Sequence, residues 1–398
     1  MTTIPRSASV VINNYNYCRF LRESIESALD QSHPATEVIV VDDGSTDDSR
    51  SVIEAYAGRV TTVFQPNSGQ GAAINTGFRA SSGEVVIFLD ADDVLFPSAV
   101  EESVSALDEA ATAKVQWPLI EVDRVGVPTG LIQPRSGLSA GDQRDVVIRQ
   151  GPLAAKASPT SGNAWARWFL DQVLPMPEAP FRINSDAYLV TLAWVYGSVA
   201  VIDHPLGKYR IHGDNNFASL GAGARRERQY EMYIRRCEAL ADHLERLGID
   251  ADPEPWKLNG LFMWTERLRN AKAEVTAVIP PGSTFILVDE DGWGTGTPGR
   301  DPVPGRSALP FMERDGAYWG LPESSNAAIT CLERLRSEGA GYIVFTWDTL
   351  WWLDTWPELA IHLNDRYRML SDGALTKIYK LREAQEASAT PGQPAAVE

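Results

Sequence analysis

The chain reads as an α/β protein with a mainly parallel sheet, followed by a second, smaller α/β domain. Three observations predict this. Short strand-like segments at 9–12, 38–41, 60–64 and 85–89 recur near the start of the chain, and those at 38–41 and 85–89 are apolar throughout. Stretches of helical spacing separate them, and strands apolar at every position are those covered on both faces. The same alternation restarts around Val275.

The elements follow in order. After the run 9–12, Phe20, Leu21, Ile25, Ala28 and Leu29 recur at helical spacing. The run 38–41 is cut by Asp42-Asp43-Gly44-Ser45, and helices are expected over 48–56 and 71–80. Strands are expected at 115–122, 130–133 and 199–202, and helices at 164–173 and 187–196. A long helix over 223–248 carries the stripe Tyr230, Tyr233, Ile234, Cys237, Leu240, Ala241, Leu244 and Leu247. A further helix reaches Leu268. In the second domain, strands are expected at 284–288, 342–345 and 375–380 and helices at 325–338 and 357–367, with a Gly/Pro-rich loop over 292–310. The domain expectation is therefore 1–222 for the main domain, 223–274 for a helical extension, 275–382 for the smaller domain and 383–398 for a disordered tail.

Composition limits the function. Among 398 residues, 36 Lys+Arg against 53 Asp+Glu leave a net charge of −17, which argues against a nucleic-acid partner. Cys18, Cys237 and Cys331 are scattered and odd in number, so neither a disulfide framework nor zinc spacing is expected, and a reduced, cytoplasmic setting fits. No run approaches the roughly 18 apolar residues of a membrane span. The opening segment MTTIPRSAS lacks the apolar centre of a secretion signal.

The chemistry-bearing residues cluster after strands. Asp90-Ala91-Asp92-Asp93 directly follows the run VVIFL. Three carboxylates in four residues repel one another unless a hard divalent cation neutralises them, so this is either a Mg²⁺ or Mn²⁺ site or a solvated acidic turn. Asp42-Asp43-Gly44-Ser45-Thr46-Asp47 can offer a carboxylate to the N–H of a base, or can simply turn the chain into a helix. Asn67-Ser68-Gly69-Gln70-Gly71 enters a helix containing Asn75 and Gly77; glycines there let backbone amides approach a phosphate, or make an ordinary cap. Asn184-Ser185-Asp186 precedes an apolar helix and is by itself a good cap cluster. His212 is by itself a turn residue or a ligand.

The order of these motifs resembles the nucleotide-sugar-binding half of glycosyltransferase family 2, which has a GT-A fold. Asn13-Asn14-Tyr15-Asn16, Asp42 to Ser45, Asn67 with Gly69, Asn75 with Gly77, Gly83-Glu84 and Asp90 to Asp93 carry that half. Pro159-Thr160-Ser161-Gly162-Asn163, Leu174-Pro175-Met176-Pro177, Ser185-Asp186-Ala187-Tyr188 and Tyr209-Arg210-Ile211-His212-Gly213 look like its acceptor half. The resemblance covers about 7–217. It implies nucleotide-sugar contacts from Tyr15, Asp43, Asn67, Gly69, Asn75 and Asp90. It implies Mn²⁺ or Mg²⁺ at Asp90, Asp92 and Asp93 with His212 beside them, and a catalytic base at Asp186. Ile74 departs from the Arg common before this Asn, which removes one expected donor to the nucleotide.

The expected activity is metal-dependent, inverting transfer of a sugar from a nucleotide-diphosphate donor to a hydroxyl. The acceptor would be a glycan or lipid-linked precursor of surface polysaccharide or glycolipid. One base and one cation without an enzyme nucleophile favour inversion. The rival expectations are a non-catalytic nucleotide-sugar-binding scaffold on the same fold and a nucleotide-sugar hydrolase or nucleotidyltransferase. Arg225, Arg226, Arg228, Arg235 and Arg236 either form a solvated face or meet anionic lipid at the inner membrane face, and self-association stays open. Gly294 to Gly299 matches GxGxxG, but Pro298, Pro302 and Pro304 deny it the helix a dinucleotide site needs. Trp347, Trp351, Trp352 and Trp356 are expected to be core, in a segment similar to modules fused to glycosyltransferases.

Overall fold

The computed structural model describes residues 6–33, 36–107, 111–213, 222–290, 292–293 and 302–382. The expected tail from 383 and the glycine pattern at 294–299 lie outside them. The chain divides into two compact units: Met1–Leu220 with Glu227–Asn259, and Gly221–Arg226 with Gly260–Glu398. The stretch expected as one helical extension is thus shared between the two.

The first unit opens β1 (Ala8–Asn14), α1 (Cys18–Leu29), β2 (Thr36–Asp42), α2 (Ser49–Glu54), β3 (Thr61–Phe64), α3 (Gln70–Ala80), β4 (Val85–Asp90), β5 (Val94–Leu95) and α4 (Ala99–Ala106). It continues β6 (Thr112–Gln116), β7 (Leu119–Val122), β8 (Pro128–Gln133), α5 (Arg144–Gln150), β9 (Asn163–Ala166), α6 (Arg167–Val173), α7 (Asp186–Tyr196), β10 (Ser198–Val201), β11 (Gly207–Arg210) and α8 (Ala222–Arg246). The main sheet runs β10-β6-β9-β4-β1-β2-β3, parallel except for β9. A small sheet runs β5-β11-β7-β8.

Alternation along the strands sorts side chains to the two faces. Val11, Ile39, Val41, Val86 and Phe88 pack under α3, α6 and α7. Val10, Ile12, Val40, Ile87 and Leu89 pack against Leu21 and Ile25 of α1 and Val100 of α4. Each such buried aliphatic side chain contributes about 1.5–3 kcal/mol. Helix α7 is buried from Ala187 to Val195, so it has no polar face and runs inside the unit. Its first residue is Asp186, at the rim.

Two expectations fail here. The run 115–122 is not one strand: Trp117-Pro118 breaks it, and β6 and β7 lie in different sheets. The stretch 164–173 begins as strand, because Ala164–Ala166 pair antiparallel with both β4 and β6 and fill the gap between them. Among the described residues no helix is long and apolar enough to cross a membrane.

The second unit holds α9 (Gly260–Val278), β12 (Thr284–Val288), β13 (Ser307–Pro310), β14 (Glu313–Arg314), β15 (Ala317–Tyr318), α10 (Ser325–Ser337), β16 (Tyr342–Thr346), α11 (Trp352–Thr355), α12 (Pro357–Arg366), β17 (Arg368–Asp372) and β18 (Thr376–Lys380). Its sheet is β13-β12-β16-β18-β17, so the end of the expected Gly/Pro loop is a strand. Trp352 is fully buried and Trp347 and Trp356 pack on the cores, whereas Trp351 is 41% exposed.

Candidate active site

The carboxyl ends of β1, β2, β3 and β4 form one rim, since Asn14 pairs with Asp42 and Asn13 with Asp90. Open α/β sheets bind ligands at such an edge. Its first corner is rigid. Asn14 Nδ2 donates to Asp42 Oδ1 at 2.7 Å, and Asn16, held at φ 60°, accepts the Thr46 amide at 2.7 Å. Tyr15 stands between them, 45% exposed.

Asp43 is buried and its carboxylate is turned to protein. Oδ1 accepts Gln65 Nε2 at 2.7 Å and the Ser68 amide at 2.8 Å, and Oδ2 accepts the Gly69 amide at 2.7 Å. These three donors shape the 65–69 loop and leave part of the carboxylate's acceptor capacity open. Gly69 is required there. Its φ is +94°, and a Cβ would meet Arg182 Cγ at 2.3 Å and Arg182 O at 2.6 Å. The Gln70 amide donates to that same Arg182 carbonyl at 2.8 Å, and Arg182 also holds Asn67 Oδ1.

The acidic turn after β4 separates into distinct roles. Asp90 Oδ1 accepts Asn13 Nδ2 at 2.8 Å and Gln70 Nε2 at 2.9 Å. Asp93 accepts the Ser161 hydroxyl at 2.6 Å and the Arg210 amide at 2.9 Å, so it braces the turn against the 160–162 segment and β11. Asp92 Oδ2 lies 3.0 Å from His212 Nε2. His212 is buried against Tyr17 and Phe20, with ring centroids at 5.4 and 4.8 Å. Burial and the Asp92 charge push both Asp90 and Asp93 up from the usual carboxylate range, with Asp90 adding to the rise at Asp93. The four expected ligands therefore do not converge. Among the described residues no set of three His, Cys, Asp or Glu side chains is arranged to hold an ion. Asp92 and His212 are joined by a direct hydrogen bond, and its 3.0 Å span is also about that between two neighbouring ligands of an octahedral cation, each about 2.1 Å from it. Mg²⁺ usually takes one or two protein ligands and completes its shell with water and phosphate oxygens.

Asn75 is a clamp and lies apart from the rim. It is buried, donating to Met176 O at 3.0 Å and Glu178 Oε1 at 3.2 Å and accepting the Met176 amide at 2.9 Å. These bonds anchor the segment that leads to Asp186. Ile74, fully buried, belongs to the core under the sheet, which is why an Arg is absent from that position.

Asp186 opens α7 behind the capping residue Ser185. Burial pushes its carboxyl up, while Arg236, the Ala187 amide and Lys114 oppose the rise. It lines a cleft of about 380 Å³ with Arg236, Lys156, Leu153, Pro134 and Val190. Two residues not singled out from the sequence complete this end. Gln70 joins the two halves: its Nε2 holds Asp90 while its Oε1 accepts the Ser185 amide at 3.2 Å and hydroxyl at 3.1 Å. Its place between Gly69 and Gly71 marked it, but a glutamine carries no charge to draw notice. Lys114 is fully buried; its Nζ donates to Asn163 Oδ1 at 2.7 Å over the rings of Trp165 and Trp194, and burial brings it down to about 7. Asn163 in turn holds the Ser158, Pro159 and Thr160 carbonyls beside Ser161.

A mainly parallel sheet with Asp90, Asp92 and Asp93 at its carboxyl rim and a half-buried Asp186 opening an apolar helix is a frame that can take a nucleotide sugar. The comparisons agree. Residues 9–149 match the family described as glycosyl transferase family 2. An uncharacterized glycosyltransferase of Nostoc sp. is 35% identical over 249 residues, 61% of this chain and 77% of that one. The putative teichuronic acid biosynthesis glycosyltransferase TuaG of Bacillus subtilis is 34% identical over 117 residues, 28% of this chain and 46% of that one. An uncharacterized glycosyltransferase of Rickettsia prowazekii is 34% identical over 101 residues, and this chain spans 32% of its length. Among solved structures, S. aureus TarS 1-349 in complex with UDP-GlcNAc overlays at TM-score 0.44 and 18% identity, covering 68% of this chain and 81% of that one. The chain belongs to glycosyltransferase family 2 and is a glycosyltransferase.

Proposed function

We propose that the chain is a metal-dependent, inverting glycosyltransferase that moves a sugar from a nucleoside-diphosphate donor to a hydroxyl of a surface glycan or glycolipid precursor. The observation that carries this reading is the span from Asp92–His212 to Asp186, joined through Asp90, Gln70 and Ser185. The donor lies along the rim, its base beside the exposed Tyr15 ring and its diphosphate toward Asp92 and His212, the ligands of a Mn²⁺ or Mg²⁺ ion. Bound there, such an ion supplies positive charge against the diphosphate as it departs. The loop held by Asp43 places Gly69 and Gln70 beside the donor.

Asp186 supplies the other half of the reaction. Its carboxylate takes the proton from the acceptor hydroxyl as that oxygen attacks the anomeric carbon and the diphosphate leaves from the opposite side. One displacement inverts the anomeric centre. Burial raises the proton affinity of Asp186, which suits a base, while Arg236 and Lys114 keep it ionisable. The cleft at Asp186 is then the acceptor's entrance. A role in polysaccharide synthesis draws support from the name of the TuaG relative.

The test is turnover with a panel of nucleotide sugars, Mn²⁺ and glycan acceptors, read by NMR. Release of nucleoside diphosphate with an inverted glycosidic product supports the reading. Pyrophosphate release, or free sugar as the sole product in the presence of acceptor, contradicts it.

A further inference from the structure

The cleft at Asp186 carries a charge pattern that the transfer reaction does not by itself need. The whole chain has a net charge of −17. Yet the charged side chains of this cleft are one carboxylate, Asp186, and two cations, Arg236 and Lys156. Arg236 reaches in from α8 and is held in one pose: its Nε donates to Thr191 Oγ1 at 2.8 Å and its Nη2 to Pro152 O at 2.7 Å. The Thr191 hydroxyl is itself committed, donating to Ala187 O at 2.7 Å. A guanidinium has five N–H donors, so three of those on Arg236 have no acceptor among the described residues. Among the described residues no ion pair joins Arg236 to Asp186, although both line the cleft. Burial lowers the proton affinity of Arg236 and the Asp186 charge opposes this; the side chain is half-buried, so its spare donors face the open cleft. At the mouth, the exposed Lys156 gives one N–H to Ser136 O at 2.9 Å and keeps two. Leu153, Pro134, Ala187 and Val190 supply apolar wall between these groups. A fixed guanidinium fork with spare donors is matched by a planar carboxylate or a phosphate.

We propose that this glycosyltransferase selects an anionic acceptor: the accepting hydroxyl meets Asp186 while a carboxylate or phosphate on the same sugar meets Arg236, with Lys156 drawing it in. The inference rests on the reading of Asp186 as the base, and it adds the acceptor's class. The cleft volume lies within the range of about 300–1,000 Å³ common to small-molecule sites. An oxyanion there satisfies the spare Arg236 donors and stays clear of the acidic turn after β4, which sits at the donor end.

The experiment measures binding of three probes to the full chain without donor: methyl β-glucuronide, glucose 6-phosphate and methyl β-glucoside. Saturation-transfer NMR gives the affinities. At least one anion should bind about tenfold more tightly than the neutral glycoside, the ratio one charge-assisted hydrogen bond provides. Preference for the glucuronide identifies a uronate acceptor, and preference for the phosphate a phosphorylated one. Arg236→Gln should erase the preference. Lys156→Glu, at an exposed position that the fold does not depend on, should reduce it even if Arg236→Gln fails to fold. Equal binding of neutral and anionic probes, no binding of either anion, or a preference unchanged by Lys156→Glu overturns the proposal. The readout needs neither donor nor turnover. It therefore fails separately from the assignment of Asp186, which transfer kinetics test.

Discussion

Asp186→Asn separates catalysis from capping. The substitution keeps the size of the side chain and removes its negative charge, and with it the ability to take a proton. Loss of a general base costs about 10²–10⁴-fold in rate, or about 2.7–5.5 kcal/mol of transition-state stabilisation. The effect on stability has the opposite sense. Burial holds the Asp186 carboxyl above its ordinary range in spite of Arg236, the Ala187 amide and Lys114. A raised folded-state value means that the ionised group opposes folding at neutral pH, and asparagine removes that penalty. Ser185 holds the N-cap position without a side-chain cap bond; its amide and hydroxyl donate to Gln70 and are untouched. The variant should therefore melt at or above the parent temperature, bind donor normally and lose transfer by at least a hundredfold. The assays are calorimetric melting and steady-state kinetics with acceptor varied. Transfer within tenfold of the parent, or a loss of about 1 kcal/mol as expected for a missing cap, would refute the reasoning.

Gly69→Ala should destabilise the chain by about 2 kcal/mol or more, because it combines a left-handed φ with overlap on the Arg182 backbone; denaturant midpoints check this. Gly58→Ala is the control, with positive φ and open space around it, and should cost less. His243 makes stability depend on pH. Its ring lies between the Tyr188 hydroxyl at 2.9 Å and the Tyr196 hydroxyl at 2.8 Å; Tyr188 already donates to Val173 O, so its oxygen accepts from the ring Nε2–H, and the Tyr196 hydroxyl can donate to Nδ1 of the neutral ring. Burial, then Arg246, lowers it from 6.5 to about 4. This depressed value leaves its contribution intact above pH 6.5 and removes on the order of 3 kcal/mol as pH falls toward 4. Melting curves of His243→Gln should lack that part of the decline, and an unchanged decline would refute the assignment.

Much of the fold was legible because the buried strands advertise themselves. The runs ending at Val41 and Leu89 are apolar at every position and the one ending at Ile12 is broken only by Ser9, as expected of strands covered on both faces. The places of the acidic turn at the end of a strand and of Asp186 at the start of a buried helix were legible for a related reason, since both follow from the limits of those elements. What escaped depends on distant partners. Asn163–Ala166 becomes a strand only because β4 and β6 leave a gap that it fills, and nothing local in Asn-Ala-Trp-Ala opposes a helix. The protein donors of Asp43 come from residues 65–69, brought to it by parallel pairing of β2 and β3. Asn75 bonds a segment about 100 residues away in sequence, with a separation of 101 to Met176. Two of the five arginines grouped on the long helix turn inward, Arg235 to Pro180 O and Arg236 to Thr191 and Pro152 O.

The central claim is that Asp92 and His212 grip a cation that holds the donor's diphosphate. Thermal denaturation with UDP, GDP, ADP, CDP and TDP, each with and without Mn²⁺, tests it for the parent chain and for Asp92→Ala. At about 100 times its dissociation constant, the matching nucleotide should stabilise the parent by about 2.7 kcal/mol, only when Mn²⁺ is present, and the variant hardly at all. The same stabilisation without Mn²⁺, or undiminished in Asp92→Ala, would contradict the account.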